Sequence, residues 1–145
     1  MTCVRLLLVE DNASDIRLMK EAVRESEAAT IIDFVNDGEK ALAYLRGEAG
    51  YSERVMPNIV VLDLNLPRKH GLEVLAEMRA DKDLSALPVL VMTTSTAEAD
   101  ILKAYALGAN CYIVKPVDFN AFRELVAAID RFWLNVARLP ELDRN

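Results

Sequence analysis

Apolar residues fall along this chain in two alternating rhythms. Short, nearly unbroken apolar runs occupy residues 4–9, 31–35, 59–62, 89–92 and 111–114, rich in Val, Ile and Leu and too short for helices. Such runs are what strands buried on both faces look like. Between them apolar residues recur at helical spacing. Ile16, Met19 and Val23 mark a first helix, with Asn12 or Ser14 available to cap its start. Asp37-Gly38 turns the chain into a second helix carrying Ala41, Leu42 and Leu45, and Leu72, Leu75 and Met78 mark a third. Ile101, Ala104 and Tyr105 mark a fourth, stopped by Gly108, which suits the left-handed position after a helix end. The last and longest helix is expected over 119–136, with Phe122, Leu125, Val126, Ile129, Phe132 and Trp133.

Five strands alternating with five helices predict an α/β fold, a doubly wound five-stranded parallel sheet covered on both faces. Two connections exceed minimal length, 47–57 before the third strand and 81–88 before the fourth. No internal repeat or linker interrupts the alternation, so residues 1–145 read as one domain with an extended last helix and a short tail. Phe132, Trp133, Leu134, Val136 and Leu139 place more apolar surface at the chain's end than one helical stripe can hide, which points to self-association.

Composition narrows the function classes. The 145 residues are 52% hydrophobic, yet no apolar run approaches the ~20 residues that span a bilayer. MTCVRLLLVEDN passes directly into acidic residues without a small-residue cleavage site, so no signal peptide is expected and the cytoplasm is the expected location. Seventeen basic residues against twenty-three acidic give a net charge of −6, with the basic ones dispersed, which argues against nucleic acid or anionic membrane as partner. Cys3 and Cys111 flank strand-like runs and read as free thiols.

The residues that follow the strand runs carry the chemistry, because an open parallel sheet binds its ligand outside the strands' carboxyl ends. They are Glu10-Asp11, Asp63, Thr93 and Lys115-Pro116. Three carboxylates in one cleft repel one another unless a cation sits among them. Oxygen ligands without nearby His or Cys favour a hard ion, and few carboxylates plus waters suit Mg²⁺. A lysine and a hydroxyl in the same cleft supply stabilisation for an anion such as a phosphoryl group. Asp63, ending the central run IVVLD, is the best-placed nucleophile for an aspartyl phosphate.

LLLVEDN, VVLDLNLP, VLVMTTS and YIVKP together resemble the receiver domains of response regulators, over nearly the whole chain. The resemblance implies a flavodoxin-like receiver topology and a two-component signalling role. In it Asp63 is the phosphoacceptor, Asp11 a direct Mg²⁺ ligand, Glu10 an acidic partner acting mainly through water, and Asn65 a donor of its backbone carbonyl to the metal. It further implies that Thr93 moves to bond the phosphoryl group, that Lys115 pairs with it, and that Tyr112 packs inward as Thr93 moves. A cis Lys115–Pro116 bond is implied too, and an X-Pro bond makes that cost only about 0.5–1 kcal/mol. The donor would be a histidine kinase. The two longer loops and the ending DRFWLNVARLP are similar to single-domain regulators paired with phytochrome-type photosensor kinases, and the surface of helix four, strand five and helix five would supply homodimer contacts. Thr94 departs from the smaller residue common beside the switch threonine and is expected to narrow access for the phosphodonor.

Each of these residues has an ordinary structural reading when taken singly. Glu10-Asp11 favours a helix start, Asp63 could cap, Thr93 could bond backbone, Lys115 could be a solvated charge, Tyr112 could be core packing and His70 a solvated loop residue. Their order at the ends of successive strands is what the ordinary readings leave unexplained. Two other functions on similar folds are disfavoured. An aspartate-nucleophile phosphatase of the haloacid-dehalogenase type needs a second aspartate two residues on, where this chain has Asn65. A flavin carrier needs amides and hydroxyls after the first strand, where Glu10-Asp11 would repel a phosphate. The expected activity is thus a switch that catalyses only its own phosphorylation and dephosphorylation.

Overall fold

The computed structural model describes residues 3–25 and 30–142. The expected alternation is present: β1 (Val4–Val9), α1 (Ala13–Arg24), β2 (Thr30–Val35), α2 (Gly38–Arg46), β3 (Ile59–Leu62), α3 (Gly71–Ala80), β4 (Val89–Thr93), α4 (Glu98–Ala106), β5 (Cys111–Val114) and α5 (Phe119–Ile129), followed by a π-helical segment Asp130–Val136. The tail beyond Leu142 and residues 1 and 2 lie outside the described residues.

All strands pair in parallel, in the order β2-β1-β3-β4-β5. Successive side chains of a strand point to opposite faces, so each central strand feeds two cores. Leu7, Val9, Val60, Leu62, Val89 and Val91 face α2 and α3, packing with Leu42, Leu45, Val74, Leu75 and Met78. Leu6, Leu8, Ile59, Val61, Leu90 and Met92 face α1 and α5, packing with Ile16, Met19, Val23, Phe122, Val126 and Ile129. Each such side chain, fully buried, contributes roughly 1.5–3 kcal/mol. The edge strands differ from the expectation of burial on both faces. Ile31 and Phe34 of β2 and Val114 of β5 are exposed, because an edge strand has a neighbour on one side only. The Lys20 ammonium lies 4.2 Å from the centre of the Phe34 ring and partly covers it.

Both longer loops are anchored by arginines. Arg54 donates to the carbonyls of Tyr44 and Leu45, capping the end of α2, while Tyr51 packs against Tyr44 at 5.3 Å between ring centres. Arg79 donates to the carbonyls of Ser85, Leu87 and Gly108 and to Asn110 Oδ1, tying α3 to the turns on either side of β4 and α4. Leu84 and Leu87 of the second loop are fully buried. Gly108 has φ +100°, a conformation costly for other residues, and a Cβ there would meet the Arg79 side chain at 2.8 Å.

The last helix departs from expectation in kind. It continues to Val136 as foreseen, but after Ile129 it widens from α to π geometry, with Ala137 N–H donating to the Phe132 carbonyl five residues back. The buried residues explain the change: Phe122, Val126 and Ile129 step by four and three, then Leu134 follows by five. The wider turn returns Leu134 to the core stripe. Asn135 Nδ2 donates to the Asp130 carbonyl at 2.7 Å and supports it. Of the terminal apolar cluster, Leu134 is buried and Trp133 and Leu139 pack on the α1–α5 core, whereas Phe132 and Val136 stay exposed.

Candidate functional site

The site sits where the sheet's winding reverses. β1 leads into α1 on one face and β3 into α3 on the other, so the connections after these adjacent strands diverge and leave a crevice at their carboxyl ends. The register aligns the strand ends: Val9 pairs with Leu62, and Thr93 with Val114. The residues that follow, Glu10, Asp63 and Lys115, therefore emerge side by side with Thr93.

Local structure fixes each of them. Asn12 caps α1, its Oδ1 accepting from Asp15 N–H at 3.0 Å, and its own N–H donates to Glu10 Oε2 at 3.2 Å. Asp63 N–H donates to the Val9 carbonyl, and Asp63 Oδ1 accepts from Asn65 N–H at 3.2 Å. Gly71 lets α3 start directly against this strand end; a Cβ there would lie 2.3 Å from the Asp63 carbonyl oxygen. His70, expected to be a solvated loop residue, instead caps α3, its Nδ1 accepting from Leu72 N–H at 3.1 Å. Lys115 N–H donates to the Thr93 carbonyl at 2.7 Å. The Lys115–Pro116 bond is trans, contrary to the expected cis bond. The small intrinsic difference between the isomers of an X-Pro bond favours trans, and Lys115 reaches the site without the cis form.

At the centre the Lys115 ammonium meets three carboxylates: Glu10 Oε1 at 2.5 Å, Asp15 Oδ2 at 2.9 Å and Asp63 Oδ2 at 2.9 Å. Glu10, Asp63 and Lys115 are buried, while Asp11 and Asn65 are exposed at the rim. Burial pushes the Glu10 carboxyl up and Asp63 repels its charge; the bond to Lys115 opposes both, leaving it at about 7. Burial pushes Asp63 up as well, but Lys115 and, beside it, the Thr93 hydroxyl outweigh that and hold it below the usual carboxylate range. Burial would lower Lys115, yet its three anionic partners raise it. One buried carboxyl is thus kept ionised and available as a nucleophile, and its neighbour is poised between two charge states.

Thr93 Oγ1 is completely buried beside Asp63 and makes no well-aligned hydrogen bond. A hydroxyl left so costs about 1–3 kcal/mol and remains free to bond an arriving oxyanion. Tyr112 points inward, its hydroxyl donating to the Ser95 carbonyl at 3.0 Å, which ties β5 to the loop after β4. Ser95 in turn donates to Asp100 Oδ2 at 2.6 Å at the start of α4. Thr94 is exposed beside the site.

Oxygens of Glu10, Asp11 and Asp63 lie within 4.8 Å of one another. The set is oxygen only, and Asp11 is open to water, so it fits a hard divalent cation that keeps part of its hydration. Asp15 is the one site residue absent from the expectations. Two signals pointed to it: its place three residues after the capping Asn12, and the need of a buried Lys115 for anions on every donor.

A response regulator receiver domain profile matches residues 6–129. Response regulator Rcp1 of Synechocystis sp. is 40% identical over 93% of this chain and 92% of its own length. The phosphorylated cyanobacterial phytochrome response regulator RcpA has 44% identity and a TM-score of 0.93, with 97% of this chain and all of that one covered. The Mn²⁺-bound form of Rcp1 gives 39% identity and a TM-score of 0.92, covering 95% and 99%. Among the described residues no helix is long and apolar enough to cross a membrane. With profile, relatives and strand-end chemistry in agreement, the chain belongs to the response regulator receiver domains, the phosphoryl-accepting modules of two-component signalling.

Proposed function

We propose that Asp63 accepts the phosphoryl group from a partner histidine kinase in a Mg²⁺-dependent reaction, and that the change switches which surfaces the chain binds. The observation that carries this is the Lys115 ammonium bonded to the buried Asp63 carboxylate, with the buried Thr93 hydroxyl beside it. Glu10, Asp11, Asp63 and the backbone carbonyl of Asn65 would hold the ion, which when bound spreads charge over the transferring phosphoryl oxygens. Asp63 attacks phosphorus in line; the bond from phosphorus to the kinase's imidazole nitrogen breaks, and its electron pair stays on that nitrogen. Lys115 then turns from the Asp63 carboxylate to a phosphoryl oxygen, and Thr93 donates to another. Movement of Thr93 is passed to the loop carrying Ser95, which Tyr112 holds, and so to α4. Water attacking phosphorus reverses the change, releasing inorganic phosphate and restoring the carboxylate. The chain acts on no separate metabolite.

The similar structures named as phytochrome and bacteriophytochrome response regulators support a phytochrome-type photosensor kinase as donor, and the cytoplasm is the location proposed with it. The surface of α4, β5 and α5 supports a homodimer: Leu102, Tyr105 and Val114 are exposed on α4 and β5, and Val136 is exposed at the end of the π-helical segment that continues α5. The strand β5 is a sheet edge whose Tyr112 N–H is met by the Tyr105 hydroxyl at 3.1 Å. Residues 1–145 act as one domain on this reading. Transfer from an autophosphorylated phytochrome-type kinase tests it: label moves to wild type but not to Asp63→Asn. Label moving equally to both variants would refute it.

A further inference from the structure

Asp15 lies in the first turn of α1, a hundred residues from Lys115 in sequence, yet its Oδ2 accepts from the Lys115 ammonium at 2.9 Å. A lysine has three N–H donors, and here they are divided among Glu10, Asp15 and Asp63. These three acceptors are not equivalent. Glu10 and Asp63 belong to the oxygen cluster that fits a divalent cation, with Asp11 as its third member; Asp15 stands outside it. Two of the three acceptors therefore have a competing use during the reaction, and Asp63 also loses its carboxylate charge when the aspartyl phosphate forms. Asp15 keeps both its charge and its freedom from the metal. Its backbone is fixed in the first turn of α1 by the bond from its N–H to the capping Asn12.

We infer that Asp15 is a positioning residue for phosphoryl transfer, the anchor that keeps the Lys115 ammonium directed at Asp63 while the other two carboxylates serve the cation. The inference rests on the reading of Asp63 as phosphoacceptor. Lysine carries its charge on a flexible four-carbon stem, so without a permanent anion beside it the ammonium spreads over several positions. Fewer of those positions meet the charge that develops on the phosphoryl oxygens. The alternative for Asp15 is a purely local one, an acid favoured at a helix N-terminus.

Asp15→Asn and Asp15→Glu separate the two roles, because asparagine keeps the size and the backbone bond to Asn12 while glutamate keeps the charge. With acetyl phosphate and saturating Mg²⁺, phosphorus bonds to Asp63 as its bond to acetate breaks, and the time course is read by intact mass. The maximum rate falls by up to about a hundredfold in Asp15→Asn, the scale of a slightly misplaced catalytic group, and recovers in large part in Asp15→Glu. The Mg²⁺ affinity is unchanged in both. Nuclear magnetic resonance of ¹⁵N-lysine protein gives a second readout independent of turnover: the Lys115 ammonium protons are protected from solvent exchange in wild type with Mg²⁺, and exchange faster in Asp15→Asn. An unchanged or raised maximum rate in Asp15→Asn, with unaltered ammonium exchange, overturns the inference and leaves Asp15 as a helix-start acid. A weakened Mg²⁺ affinity overturns it too, by making Asp15 part of the metal site. Absence of an adduct on wild type would instead strike the phosphoacceptor reading itself.

Discussion

Lys115 and Glu10 make opposite demands on the site, and both can be read from outside. Lys115 neutralises a buried cluster that would otherwise repel itself, so Lys115→Met leaves Glu10 and Asp63 without their shared cation. With chelator present at pH 8 that variant loses roughly 3–5 kcal/mol, the usual cost of breaking a buried pair, and regains part of it on adding Mg²⁺; urea unfolding measures both. Glu10 is raised from 4.5 to about 7 by burial and by Asp63 against the opposing bond to Lys115. Between those values the folded chain holds a proton that the unfolded chain has shed. Its contribution to stability is therefore complete below pH 4.5 and is lost as pH rises through 7. Asp63, held low, works in the other direction, contributing above its ordinary 3.8 and losing that contribution as pH falls through its folded value. Cation binding must displace the Glu10 proton, so the thermal stabilisation by Mg²⁺ grows from pH 6 to pH 8, and Glu10→Gln flattens that dependence. A Mg²⁺ effect equally large at both pH values would contradict this. The residue types at the strand ends were legible in the sequence, because the polar residues there directly follow or close apolar runs. Asp15 was legible only as an acid three residues after a cap, since its partner Lys115 is reached only through the fold.

The elements deliver those side chains through a few backbone devices. Gly71 is the sharpest: α3 begins in contact with the Asp63 and Leu64 backbone, and any Cβ must displace one of them. Gly71→Ala is expected to cost about 1–3 kcal/mol by overpacking and to slow phosphorylation by acetyl phosphate, since what shifts is the strand end that carries Asp63, the proposed phosphoacceptor. A stable variant with wild-type phosphorylation would show that the helix, not the site, yields. Periodicity placed every strand to within a residue and marked the apolar stripe of each helix, because apolar patterns report which face is buried. It could not reveal Gly71, whose role depends on a helix packed against a strand end, nor His70 as a cap. The change from α to π after Ile129 was present in the sequence as the five-residue step to Leu134, though a fixed helical period hides it.

At the scale of the whole molecule, the reversal of winding between β1 and β3 opens the crevice, and the β5 edge with α4 offers the outward face. Three exposed apolar residues on that face, Leu102, Tyr105 and Val114, together with Val136 exposed at the end of the last helix, are expected to hold two copies together. Wild type should sediment as a dimer, and Leu102→Arg combined with Val136→Asp as a monomer that still takes the phosphoryl group; a wild-type monomer at all concentrations and phosphorylation states would remove the dimer from the account. Composition and apolar rhythm made the fold class legible, whereas the partner surface depended on which edge of the sheet the fold leaves open. Every other property of the switch depends on Asp63 taking a phosphoryl group with a divalent cation. Intact mass after incubation with acetyl phosphate and Mg²⁺ tests it most directly, comparing wild type, Asp63→Asn and a chelated sample. One phosphoryl adduct on wild type alone is the expected result; an adduct that persists on Asp63→Asn, or forms equally well with chelator, would contradict it.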